Sequence, residues 1–184
     1  MAGKKVAVLL APGFEEVEAV TPIDFLRRAG IQVVVTGIGG GLIEGSHGIK
    51  IQADVTLDEL TYDFDGVVVP GGMPGSSNLA GSEKVADFIR MLFEQGKLIA
   101  SICAAPGVVL APLGILDGKK ATCHPSIADE LKKHAEVSEE RVVIDGTVIT
   151  SRGPGTSAEF SLEIISYLAG EETARTINAA TLQK

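Results

Sequence analysis

Cys103 stands where an apolar run, residues 98–102, gives way to a stretch, 104–110, that reads as a helix starting at once. A side chain at such a junction projects beyond the sheet edge, and the amides that follow it have no helical partner. The sharp turn that exposes a nucleophile needs small residues two positions to either side, and Ser101 and Ala105 are both small. A thiol there attacks as thiolate, and a helix N-terminus favours that anion. Free cysteines are also among the most buried residues, so a packed structural thiol is the competing reading.

Four further groups bear on the same chemistry. Glu18 lies among Val17, Ala19 and Val20. Turned toward a sheet, its carboxyl would be desolvated and would carry a proton at neutral pH. Beside Cys103 the two would titrate as a pair, carboxylic acid next to thiolate. Spacing alone favours a solvated carboxylate on the helix surface. The Gly71-Gly72 pair lets backbone approach a reacting atom, and its amides, with that of Ala104, could hold an oxyanion; a tight turn is the plain alternative. His124 follows Cys123 and precedes Pro125-Ser126, a helix start, so it reads either as a general base or as a cap. Glu15 and Glu16 are accounted for by a helix N-terminus. His47 and His134 read as surface residues, and Cys123 as a small packed hydrophobe in preference to a resolving thiol.

Apolar runs at 6–10, 31–36, 67–69 and 98–102 alternate with helical patterns, the signature of parallel strands covered on both faces. Ser82 and Gly96 bracket one helix, a second spans 157–168, and a third, 15–28, contains Pro22, which is expected to kink or restart it. Segment 119–123 reads as another strand. Strands at 141–144 and 147–150 flank Asp145-Gly146, a two-residue antiparallel hairpin signal. Ligands of open parallel sheets sit beyond the strands' carboxyl ends, so residues 11–18, 70–75, 103 and 152–157 should meet on one rim. Gly39-Gly40-Gly41 follows an outer strand and reads as a flexible loop.

The 184 residues suit one domain, 1–184, and 45% hydrophobic content in short runs is globular. No run approaches the roughly 18 apolar residues of a membrane span. The N-terminus runs straight into a strand pattern without a leader, so a cytoplasmic location is expected. A net charge of -8, from 24 acidic and 16 basic residues, disfavours nucleic acid. Two cysteines without a Cys-x-x-Cys pair exclude a disulfide framework and a zinc array, and no Gly-x-Gly-x-x-Gly or Walker pattern supports a nucleotide.

Taken in order, residues 11–18 (Ala-Pro-Gly-Phe-Glu-Glu-Val-Glu), 70–72, 102–106, His124-Pro125 and 150–156 resemble the ThiJ/PfpI family, in particular the branch of the parkinsonism-associated protein deglycase and its bacterial relatives. The resemblance runs from about Lys5 to about Gly170. It implies a flavodoxin-like α/β sandwich, a homodimer, and cofactor-free, metal-free chemistry on small dicarbonyls such as glyoxal and methylglyoxal. In it Cys103 is the reactive thiol, Glu18 its protonated partner, and His124 assists. The Gly71, Gly72 and Ala104 amides would hold the oxyanion. An activity on early glycation adducts of proteins is also implied. Two departures matter. Ala104 stands where protease-like members carry His, which disfavours peptide hydrolysis, and Ser46-His47-Gly48 stands where relatives often carry Arg.

Three functions compete: a glutathione-independent glyoxalase or deglycase, a redox-sensing stress protein or chaperone that uses oxidation of Cys103, and a ligand-binding module with an inert thiol.

Overall fold

The computed structural model describes residues 3–183. In chain order the strands are β1 (Lys5–Leu10), β2 (Gln32–Gly37), β3 (Leu42–Glu44), β4 (Lys50–Gln52), β5 (Val55–Thr56), β6 (Gly66–Val69), β7 (Leu98–Ile102), β8 (Lys120–Ala121), β9 (Glu136–Val137), β10 (Val142–Asp145) and β11 (Val148–Ser151). The helices are α1 (Glu16–Arg28), α2 (Gly75–Ala80), α3 (Glu83–Glu94), α4 (Ala128–Leu131), α5 (Ser157–Ala169) and α6 (Glu171–Ala180).

The central strands are largely apolar, and β6 and β7 are buried at every position, because helices cover both faces of the sheet. Its order is β10-β11-β7-β6-β1-β2-β5, parallel except for β10. Alternate residues of each strand feed two cores. Val6, Val8, Ala100 and Ile102 pack under α1 and α5 with Leu26, Phe160 and Ile164. Ala7, Leu9, Val67 and Ile99 pack under α3 with Val85, Phe88 and Ile89. The hairpin at Asp145-Gly146 is present, with Asp145 opposite Val148 and Gly146 at φ 62°. Ser82 caps α3 by accepting the Val85 N–H.

Three expectations are corrected. Helix α1 runs unbroken through Pro22: burial of Ala19, Pro22, Ile23 and Leu26 outweighs the one bond a proline cannot make, to the carbonyl of Glu18. The helix expected after Cys103 is present but is not a regular α-helix. Residues 103–104 form a turn, and Pro106–Leu110 is one wide π-helical turn. The strand expected at 119–123 is only β8, paired with β9 outside the main sheet.

Candidate active site

Cys103 ends β7 in the left-handed region, φ 66°; among the described residues Leu182 is the one other non-glycine with positive φ. That conformation costs a side-chain-bearing residue about 1–2 kcal/mol. It is held by two backbone bonds: Cys103 N–H donates to the Ser151 carbonyl at 2.9 Å, and the His124 N–H donates to the Cys103 carbonyl at 2.8 Å. The strands after which residues 103 and 152 follow are therefore tied together at the thiol. Its side chain is half-buried.

Glu18 faces inward because positions 18, 19, 22, 23 and 26 form the helical stripe of α1 that packs on the sheet. Its outer neighbours Val17 and Val20 are exposed. The Glu18 side chain is wholly buried. Oε2 accepts the Gly71 N–H at 2.8 Å, and Glu15, the N-cap, accepts the Glu18 N–H at 2.7 Å. Oε1 accepts no hydrogen bond from the protein. A Cβ on Gly71 would lie 2.6 Å from Cys103 Cβ and 2.7 Å from Glu18 Oε2, so thiol and carboxyl converge on one glycine that must lack a side chain. The Gly71 amide is thereby spent on Glu18. Of the three amides expected to face an oxyanion, those of Gly72 and Ala104 act on Cys103.

Burial pushes the Glu18 carboxyl up to about 7, against hydrogen bonds from Cys103 and Gly71 that favour the anion; the Glu15 charge adds to the rise. Burial also pushes the Cys103 thiol up, with the charge and hydrogen bond of an ionised Glu18 adding to it, to about 12; the Gly72 and Ala104 amides pull the other way. The lowering expected from a helix N-terminus thus comes from two single amides, and burial outweighs it. Two anions are not tolerated side by side, so the pair surrenders one proton near neutrality and the second only far above.

His124 is exposed and serves as a cap: its Nδ1 accepts the Ser126 N–H at 3.3 Å and lies 2.8 Å from Ser126 Oγ. With Nδ1 accepting, the neutral ring carries its proton on Nε2. Cys123 is buried in the core under α3, whereas Cys103 packs against the core under α1. Burial pushes its thiol up to about 11, and Arg152 draws it down.

One contact was not visible in the sequence. Glu16, expected only to favour a helix start, is buried and binds the loop between β3 and β4: Oε1 accepts the His47 N–H at 2.6 Å, and Oε2 lies 2.8 Å from His47 Nδ1. His47 is an exposed ring paired through one edge. Glu15, Glu16 and His47 offer ligand atoms within 4.8 Å of one another, but both Glu16 oxygens and Glu15 Oε2 already accept hydrogen bonds, which accounts for the cluster without a metal. Among the described residues no helix is long and apolar enough to cross a membrane.

A mostly parallel sheet covered on both faces, with a left-handed cysteine at the carboxyl end of a central strand and a buried glutamate beside it, defines a flavodoxin-like protein with a half-buried thiol at a sharp turn. The chain belongs to the DJ-1/PfpI family, whose pattern matches residues 4–167. It is 44% identical over 180 residues to Protein DJ-1 homolog A of Arabidopsis thaliana, covering 97% of this chain but 46% of that protein, so the chain spans about half of that relative. It is 36% identical over 181 residues to the Glutathione-independent glyoxalase DJR-1.2 of Caenorhabditis elegans, covering 96% of each. The crystal structure of Drosophila melanogaster DJ-1beta superposes with a TM-score of 0.94 at 43% identity, covering 98% of both chains.

Proposed function

We propose that the protein is a cofactor-free glyoxalase that converts small dicarbonyls, glyoxal and methylglyoxal, to 2-hydroxy acids, with early glycation adducts as related substrates. The observation that carries this reading is the convergence of the Cys103 side chain and the buried Glu18 carboxyl on Gly71. The name of the nematode relative supports it.

In the reactive form Glu18 keeps the proton and sulfur the charge. Burial alone would ionise Glu18 first, at about 7 against about 12 for Cys103; here that order is reversed because sulfur is the more exposed atom, lies beside the two amides and spares a charge on the wholly buried carboxyl. Sulfur adds to the aldehyde carbon. The new oxyanion lies against the Gly72 and Ala104 amides and takes the Glu18 proton, leaving a hemithioacetal and a carboxylate. Glu18 then carries the aldehyde-derived proton to the adjacent carbon while the hydroxyl proton moves to the second oxygen, which yields a thioester. Water hydrolyses the thioester, so one dicarbonyl and one water give one hydroxy acid. In this reading the exposed His124 ring assists by donating from Nε2 to a substrate oxygen. The test is lactate formation from methylglyoxal by purified protein without glutathione or added metal.

The same surroundings favour a second use of the thiol. A sulfinate at Cys103 would find hydrogen-bond donors in protonated Glu18 and the two amides. Mild peroxide is expected to add two oxygens to the intact protein, read by mass, and Cys103→Ser to abolish the gain.

The proposed partner is a second copy of the chain. Val17 and Val20 form an apolar outer face on α1, and exposed Ile49 is tied to the same helix through Glu16. Sedimentation is expected to give a dimer, and Val17→Glu with Val20→Glu a monomer of unchanged helicity.

A further inference from the structure

Gly153 has φ 166°, extended backbone open to any residue, so its conformation does not explain a glycine there. Its surroundings do. A Cβ at this position would lie 3.6 Å from His124 Cδ2 and 3.9 Å from Glu18 Oε1, with no other atom outside its chain neighbours within 4 Å. Oε1 is the carboxyl oxygen without a protein partner, in a wholly buried side chain. Oε2, by contrast, accepts the Gly71 N–H, on the side where Cys103 Cβ also approaches that glycine. The wall of this slot is rigid: the Thr156 N–H donates to the Gly153 carbonyl at 2.9 Å, and Gly153 N–H donates to Thr156 Oγ1 at 3.1 Å.

Resting on the glyoxalase reading, we propose that Gly153 is a positioning residue that keeps a slot open between Glu18 Oε1 and the His124 ring, and that this slot holds the water that hydrolyses the thioester. A buried carboxyl oxygen lacking a protein donor is the kind of group that ordered water satisfies. After the rearrangement Glu18 is ionised. Water oxygen attacks the thioester carbon, its proton passes to Oε1, the carbon–sulfur bond breaks, and sulfur leaves as thiolate. This restores the starting pair, protonated Glu18 and charged Cys103. The two oxygens of one carboxyl thereby divide the work, Oε2 toward the thiol and Oε1 toward the water.

The test compares wild type with Gly153→Ala. The added methyl makes only ordinary contacts, so the melting temperature should stay within about 3 °C of wild type and the rate of Cys103 alkylation by iodoacetamide within about twofold. Lactate turnover should fall at least about tenfold, and a hydroxylamine-sensitive thioester on Cys103 should accumulate, because only hydrolysis is obstructed. Crystal structures should show a water within about 3.2 Å of Oε1 in wild type and none there in the variant. Unchanged turnover, or a wild-type Oε1 with no water in reach, overturns the proposal. Equal losses in alkylation and turnover also overturn it, since Gly153 would then act on the thiol. Wild-type protein that makes no lactate sinks the proposed activity and leaves the slot to be decided by the water alone.

Discussion

Cys103→Ser is expected to reduce lactate formation from methylglyoxal by about 10⁴-fold or more, to the level of solution, while changing stability by less than about 1.5 kcal/mol. The substitution is nearly isosteric and keeps the backbone bonds to Ser151 and His124. Serine removes the one atom able to carry a negative charge near neutral pH and then leave from carbon as a stable anion. The remaining amides and Glu18 have nothing covalent to act on. Turnover equal to wild type would mean the dicarbonyl chemistry runs without the thiol, and the site would then be a binding pocket with an inert cysteine.

Glu18→Gln carries the second large effect. Gln preserves shape but cannot shuttle a proton, so turnover should fall about 10²–10⁴-fold. The same change alters stability in a pH-dependent way. Burial holds the carboxyl at about 7 in the fold, above its ordinary 4.5. Between those two values the native chain retains a proton that the unfolded chain has released, so wild-type stability falls as pH rises through the window and levels off above it. The loss amounts to about 3 kcal/mol. Since it counts protons bound by the pair, it does not depend on which partner holds the last one. Urea denaturation near pH 5 and near pH 8 should show this decline in wild type and its absence in Glu18→Gln. A decline of equal size in both proteins would place the raised pKa elsewhere.

What could be read from the residues follows their physics. Strands β1, β6 and β7 announce themselves because burial on two faces demands unbroken apolar runs, and the hairpin does so because Asp145-Gly146 suits only a narrow set of turns. The sharp turn at Cys103 was recognisable from its own neighbours, since the small residues that permit it are local. Glu18 was not, because whether it faces water or sheet depends on which stripe of α1 is buried, and only the resemblance to a family pointed inward. Pro22 misled for a related reason: packing against the sheet held together a helix that propensity alone would break. The Gly71 amide bound to Glu18, the Glu16 grip on residues 46–49, and the slot over Gly153 join segments 53, 31 and 135 positions apart, and no local pattern encodes them.

The central claim is that Glu18 holds the proton and Cys103 the charge when the pair has lost one proton. The pH dependence of Cys103 alkylation in wild type and Glu18→Gln tests it directly, because the two placements of the proton shift the profile in opposite directions. With the proton on Glu18, the wild-type midpoint is set by the first proton the pair loses and lies below the ordinary thiol value, and Glu18→Gln moves it upward, since an amide donates more weakly to a thiolate than a carboxylic acid does. A wild-type thiol unreactive until far above neutrality, brought downward when the charge of Glu18 is removed, would contradict the account.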